Sequence, residues 1–185
     1  MSNIVAVAWQ RYQRQLQRQP LPTKAVTAAC IAALSDVVAA WLVPGKKQEL
    51  SRTAKMGLFG LLWSGPSMHF WQNFMERTFR GKKDGTTVIR KTVFDQLTYG
   101  PMCNVLFMSW ITLVVERQGL SALLAKIQRD FAAVQAKGWR LWPAATFINY
   151  QFVPLQLRVL FANCVALLWS TTLILSSQTR PAVRP

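Results

Sequence analysis

Seven polar or ionisable residues stand inside stretches that are otherwise apolar: Asp36, His69, Asp95, Gln96, Asn104, Asn149 and Arg158. Two carboxylates and one guanidinium in such surroundings can do one of two things. They can lock helices together, as an ion pair from Arg158 to Asp36 or Asp95 or as a helix cap. They can instead line an aqueous path, where Asp95 and Arg158 would set charge selectivity as rings of charge do in pores. His69 is the chain's one histidine. It fits either a hydrogen-bonded packing role or a pH sensor, since imidazole titrates across the physiological range.

Hydrolytic and redox chemistry find no support. There is no nucleophile beside a base, no pair of catalytic carboxylates and no phosphate loop. Gly57-Leu58-Phe59-Gly60 is too short for a dinucleotide fingerprint and follows no strand. Cys30, Cys103 and Cys164 have neither metal-site spacing nor a CxxC neighbour, and read as small apolar filler. The expectation is a protein that is not an enzyme and carries no cofactor and no metal.

The elements that must position these residues are long uncharged runs. Met56 to Met75 and Gln96 to Val115 are each 20 residues without a formal charge, and Val159 to Thr179 is 21. Ala25 to Gly45 is 21 residues with a single charge, Asp36. A helix of about 20 residues, at roughly 1.5 Å each, crosses the hydrocarbon of a bilayer. Hydrophobic residues are 51% of the chain and charged ones 16%, and the charges divide into 22 Lys and Arg against 7 Asp and Glu. The cations fall in the connections, such as Lys46 to Lys55, Arg77 to Lys83 and Arg117 to Arg140, rather than along one helix face. That distribution excludes a soluble nucleic-acid binder and fits a membrane protein with basic loops.

The pattern along the chain is all-α. Val5, Trp9, Tyr12 and Leu16 share one helix face with Arg11, Arg14 and Arg18 between them, an amphipathic basic helix over 4–18 suited to an anionic membrane surface. Pro20 and Pro22 end it, with Thr23 as a cap for the first span. Spans are expected at about 24–43, 55–75, 91–115 and 155–176, with Pro44-Gly45 closing the first. Ala28, Ala32, Asp36 and Ala40 recur every four residues as a close-packing face. Gly65-Pro66 and Gly100-Pro101 stand mid-span, as gating hinges or as static kinks. A surface helix over 120–137 packs against the bundle or the headgroups, and Trp9, Trp139 and Trp142 serve as interface anchors. The whole of 1–185 is then one membrane domain: a four-helix bundle with an amphipathic first helix and an interfacial helix between spans three and four. Four spans place both termini on one side. The expected partners are membrane lipids of anionic type, further copies of the chain or a larger membrane complex, and no nucleic acid.

Several spaced motifs resemble the Mpv-seventeen and twenty-two-kilodalton peroxisomal membrane protein family. They are Trp9-Gln10-Arg11-Tyr12 with Pro20 and Thr27; Gly60 to Trp71, including Gly65-Pro66 and His69; Lys91 with Asp95-Gln96 and Pro101; and Trp139, Trp142-Pro143, Asn149-Tyr150, Val153-Pro154 and Arg158. Gly119-Leu120-Ser121-Ala122 and Gln128-Arg129-Asp130 look most like its mitochondrial branch. The chain departs from the family pattern at Gln72, around Ala145 and Thr146, and at Ser170. The resemblance implies a small integral protein of the mitochondrial inner membrane or, alternatively, of the peroxisomal membrane. It implies a link to channel-like solute permeation and organelle maintenance. A non-conducting accessory subunit of a larger inner-membrane complex is the other reading.

Overall fold

The computed structural model describes residues 2–43 and 47–178, with side chains over 4–43 and 47–171; Pro44-Gly45, Lys46 and the last seven residues lie outside them. The described residues are mostly helical, with short turns between the helices and no strand. The helices are α1 (Ser2–Arg18), α2 (Pro20–Leu42), α3 (Leu50–Phe59), α4 (Gly65–Thr78), α5 (Gly85–Leu97), α6 (Tyr99–Ser109), α7 (Leu120–Gly138), α8 (Trp142–Phe152) and α9 (Arg158–Gln178). A π-helical turn, Gly60–Ser64, joins α3 to α4, and another, Trp110–Val115, follows α6. Two helical runs are long and apolar enough to cross a membrane, Pro20–Leu42 and Gly85–Val115, and Arg158–Thr171 is a shorter apolar stretch. The chain clusters into two compact units, residues 1–70 with 155–185, and residues 71–154.

In the first unit α2 packs against α1, α3, the π turn and α9. The α1–α2 junction is a single residue, Gln19, with φ −136° and ψ 73°. Pro20 and Pro22 therefore sit in the first turn of α2 and not in a linker. Proline costs little there, because the first N–H groups of a helix have no intrahelical acceptor. Thr23 lies inside the helix, its hydroxyl donating to the Gln19 carbonyl at 2.6 Å. Of the predicted α1 face, Leu16 is buried while Val5 and Trp9 are exposed.

Residues 50–65 run back along α2. A Cβ on Gly57 would stand 3.6 Å from Ala33, one on Gly60 2.5 Å from the Ala28 carbonyl oxygen, and one on Gly65 2.5 Å from Ala25 Cα. The backbones touch at Gly60 and Gly65, which only glycine permits. The π turn explains how a proline fits here. Pro66 has no N–H and its ring would clash with the carbonyl four residues back. Over Gly60–Ser64 the helix widens, and Gly65 N–H donates five residues back to Gly60.

The second unit is a helical hairpin. Residues 85–115 form the outgoing arm, broken at Thr98, whose φ is −120° and ψ −70°. The break lies three residues before Pro101, which takes a place in the first turn of α6. Residues 120–152 return beside it. α7 packs on α6 through Asn104 Nδ2 donating to Gln135 Oε1 at 2.8 Å. α8 packs on α5, pairing Gln96 with Thr146 and Asp95 with Tyr150. Partner numbers fall as the outgoing numbers rise, so the arms are antiparallel. Asp84 caps α5, accepting from Thr87 N–H at 3.0 Å; that bond and the Thr87 hydroxyl hold its carboxyl below the usual range.

Candidate functional site

The buried side chains of this chain are unusually polar. Among the described residues, thirteen hydrophobic residues are buried against fourteen polar or charged ones, which include Lys24, Asp36, Lys91, Asp95 and Arg158. At the same time twenty-eight large hydrophobic side chains are exposed, Trp41 at 90%. The polar residues gather in two clusters, one in each unit.

In the first unit Asp36 faces α3. Its Oδ1 accepts from Arg52 Nε at 2.8 Å, and its Oδ2 accepts from the Thr53 hydroxyl at 2.8 Å. Arg52, from the basic connection, is thus the ion-pair partner of Asp36 in place of the expected Arg158. The cause is that α3 returns antiparallel and lays its first turn beside this part of α2. At the start of α2, Lys24 is 3% exposed and its Nζ donates to His69 Nδ1 at 3.2 Å. His69 also meets Phe70 edge-on, with centroids 5.4 Å apart. Arg158, the first residue of α9, is fully buried.

In the second unit Asp95 is the hub. Its Oδ1 accepts from Trp71 Nε1 at 2.6 Å and from the Tyr150 hydroxyl at 3.0 Å, and its Oδ2 accepts from Gln96 Nε2 at 3.2 Å. Gln96 Nε2 also donates to the Thr146 hydroxyl at 3.2 Å. Trp71 is fixed by stacking on Tyr99, with centroids 4.9 Å apart, and on Phe94 at 5.8 Å. One turn before Asp95, Lys91 is fully buried. It donates to Glu76 Oε2 at 3.3 Å and to the Lys82 carbonyl at 3.0 Å, and lies 5.9 Å from the Phe79 and Tyr150 ring centres. Three helices, α4, α5 and α8, thus converge on one carboxylate and one ammonium, and α6 adds Tyr99 against Trp71. Three donors satisfy this buried carboxylate.

The remaining predicted residues are dispersed. Asn149 is buried on α8. Asn104 ties α6 to α7. Gly100 is half-buried, and a Cβ there would meet only the Asp95 carbonyl, at 3.6 Å. Trp9 and Trp139 are exposed at 42% and 47%, and Trp142 packs beside Gly138. Cys30 and Cys164 are exposed. No group of three His, Cys, Asp or Glu among the described residues could hold a metal ion.

Sequence reasoning missed Lys24, Arg52, Trp71, Lys91 and Tyr150 as site residues. Two were within reach. Four residues before Ala28 on the small-residue face lies Lys24, and four before Asp95 lies Lys91.

Comparison with known proteins places these features. The model of the Mpv17 / PMP22 family matches residues 113–174. The chain is 36% identical over 170 residues to the peroxisomal membrane protein PMP22 of Arabidopsis thaliana, covering 92% of this chain and 90% of that one. It is 31% identical to peroxisomal membrane protein 2 of Bos taurus, over 88% of this chain and 85% of that one. It is also 31% identical to the mitochondrial inner membrane protein Mpv17 of Bos taurus, over 89% of this chain and 94% of that one. No solved structure matches.

Proposed function

This chain belongs to the Mpv17 / PMP22 family, and we propose that it is a multi-pass organellar membrane protein that gives small solutes a weakly selective path. The observation that carries the reading is the inverted partition of side chains. Among the described residues, fourteen polar or charged ones are buried while twenty-eight large hydrophobic ones are exposed. In water that arrangement would forfeit the hydrophobic effect. In lipid it is the economical one, because hydrocarbon solvates the outer side chains and polar groups must find partners inside. The crossing legs are α2, residues 50–78, residues 85–115 and α9, with α7 and α8 returning along the third. So few helices cannot line a wide pore within one copy; such a pore would need several copies.

The address is the mitochondrial inner membrane, with the peroxisomal membrane as the alternative; relatives named for both are at similar identity. The exposed Val5 and Trp9 and the cations Arg11, Arg14 and Arg18 of α1 suit an anionic lipid surface. The reading includes no catalysis. Two experiments test it. Purified protein reconstituted in planar bilayers should give unitary conductance steps, and tagged protein should fractionate with one of the two organelles. A silent bilayer, with the protein co-migrating with a large complex in native gels, would replace the channel with an accessory subunit.

A further inference from the structure

We propose that the connection between α4 and α5 is a docking surface for the headgroup of an anionic phospholipid, in addition to the surface that α1 offers. Residues 77–83 hold four cations, Arg77, Arg80, Lys82 and Lys83, and no acid. All four are exposed, and none is ion-paired among the described residues. The two acids that flank them are engaged. Glu76 accepts from the buried Lys91 at 3.3 Å. Asp84 caps α5 through Thr87 N–H, and the charge of Lys82 helps to keep it ionised. The connection is therefore a concentrated positive patch. At a membrane surface such a patch attracts anionic headgroups, each cation adding to the attraction.

The turn that carries the patch is fixed. Gly81 N–H donates to the Glu76 carbonyl at 2.8 Å and Arg80 N–H to the Arg77 carbonyl at 3.2 Å, the paired bonds of a Schellman motif ending α4. Lys91 donates to the Lys82 carbonyl at 3.0 Å, so the turn is also pinned from the interior. The motif puts its first residue beyond the cap in the left-handed region and usually gives that place to glycine, because a Cβ is crowded there. Here the place is held by Arg80, at φ 50°, and Gly81 follows at φ 67°. A cation near a helix C-terminus is favourable in itself, but Arg77, Lys82 and Lys83 already supply that charge. An exposed guanidinium kept at a glycine position therefore points to a partner outside the fold. Exposed apolar side chains run away from the patch on both helices. Phe74 stands on α4 three residues before Arg77, and Ile89, Val93 and Leu97 recur every four residues on α5. Cations at the end of apolar stripes suit an amphiphile, headgroup on the turn and acyl chains along the helices, rather than an acidic segment of a soluble protein.

The inference rests on the membrane reading and not on conduction. The full chain is placed in phosphatidylcholine nanodiscs carrying increasing fractions of phosphatidylglycerol, and Tm is followed. Tm should rise with the anionic fraction. Arg80→Gly should need about fivefold more phosphatidylglycerol for the same rise, the worth of one cation at an anionic surface. Its Tm in pure phosphatidylcholine should be unchanged or higher, because glycine relaxes the left-handed position. The matched control is Arg117→Gly. Arg117 is also exposed, with φ 56°, but it follows Glu116, which pairs with Lys126. Its replacement should leave the lipid response intact. Lys82→Gln combined with Lys83→Gln tests the patch without altering the backbone of the turn, and should weaken the response more than Arg80→Gly does. Failure of the chain to enter phosphatidylcholine nanodiscs would refute the membrane reading itself. Entry with no response to phosphatidylglycerol, capture of an acidic peptide in place of lipid, or an undiminished response in folded Arg80→Gly and in the double lysine variant overturns the docking surface alone.

Discussion

Replacing Asp95 by Asn distinguishes a lock from a pore-lining charge. The carboxylate accepts from Trp71 at 2.6 Å, Tyr150 at 3.0 Å and Gln96 at 3.2 Å. A hydrogen bond to a charged acceptor is worth about 1.5–3 kcal/mol against about 0.5–1.5 for a neutral one. An Asn carbonyl at the Oδ1 position keeps Trp71 and Tyr150 at the lower value, a loss of about 2 kcal/mol over the two bonds. Its amide then faces Gln96 Nε2, donor against donor, and the third bond goes. Against this stands the relief of discharging a buried carboxylate. The net expectation is a destabilisation of about 1–3 kcal/mol, which for a chain of this length lowers Tm by about 2–4 °C per kcal/mol. Asp95→Ala should cost more, about 2–6 kcal/mol, because Trp71 and Tyr150 lose their acceptor at about 1–3 each while Gln96 keeps Thr146. Trp71→Phe removes one of those donors, so the double mutant with Asp95→Asn should be less than additive. Thermal unfolding in detergent, followed by near-UV circular dichroism, gives the stabilities, and reversal potentials across a salt gradient give the selectivity. A lock predicts lowered Tm with unchanged reversal potential. A fully stable Asp95→Asn with a shifted reversal potential would refute the reasoning and put this carboxylate on the conduction path.

Two other outcomes are expected. Gly60→Ala should destabilise by about 1–3 kcal/mol, since the new Cβ would stand 2.5 Å from the Ala28 carbonyl oxygen, whereas Gly57→Ala, at 3.6 Å from Ala33, should be tolerated; unfolding of the pair in one detergent checks the contrast. Because residues 120–152 return beside residues 85–115 and so add a leg, tags on the two termini should lie on opposite faces of the membrane, and protease protection of both tags on one side of sealed vesicles would contradict this.

That last expectation differs from the one drawn from hydropathy, and the difference shows where sequence stops. The uncharged run after Arg158 gives α9, and Trp142-Pro143 gives the start of α8, because length and proline geometry are local properties. Direction is not local. Residues 120–137 are amphipathic and read as a surface helix packed against the bundle or the headgroups; what the pattern leaves open is the partner, which Asn104 bonded to Gln135 shows to be α6. The acids on the spans were legible because charge in an apolar run stands out. Their partners were not. Arg52 takes Asp36 through the course of α3, and the Asp95 donors are two aromatic side chains and an amide, types that occur everywhere in a membrane helix. The π turn before Pro66 is a backbone adjustment that no residue type announces, although the Gly65-Pro66 pair marks where it is needed.

The inverted partition also says what must hold these units together. Between helices in lipid there is no hydrophobic gain, because the tails are as apolar as Leu. What remains is close approach and hydrogen bonding. The first unit uses approach: Gly60 and Gly65 bring two backbones into contact along the Ala25 and Ala28 face of α2. The second uses polar links between helices, at Asp95, Gln96, Lys91 and Asn104. A hydrogen bond between membrane helices averages only about 0.6 kcal/mol, so the second unit depends on several acting together around one hub. The first depends on two glycines that cannot be enlarged. Loss of a single link should therefore loosen the second unit in degrees, while an added methyl at Gly60 forces the first to shift as a whole.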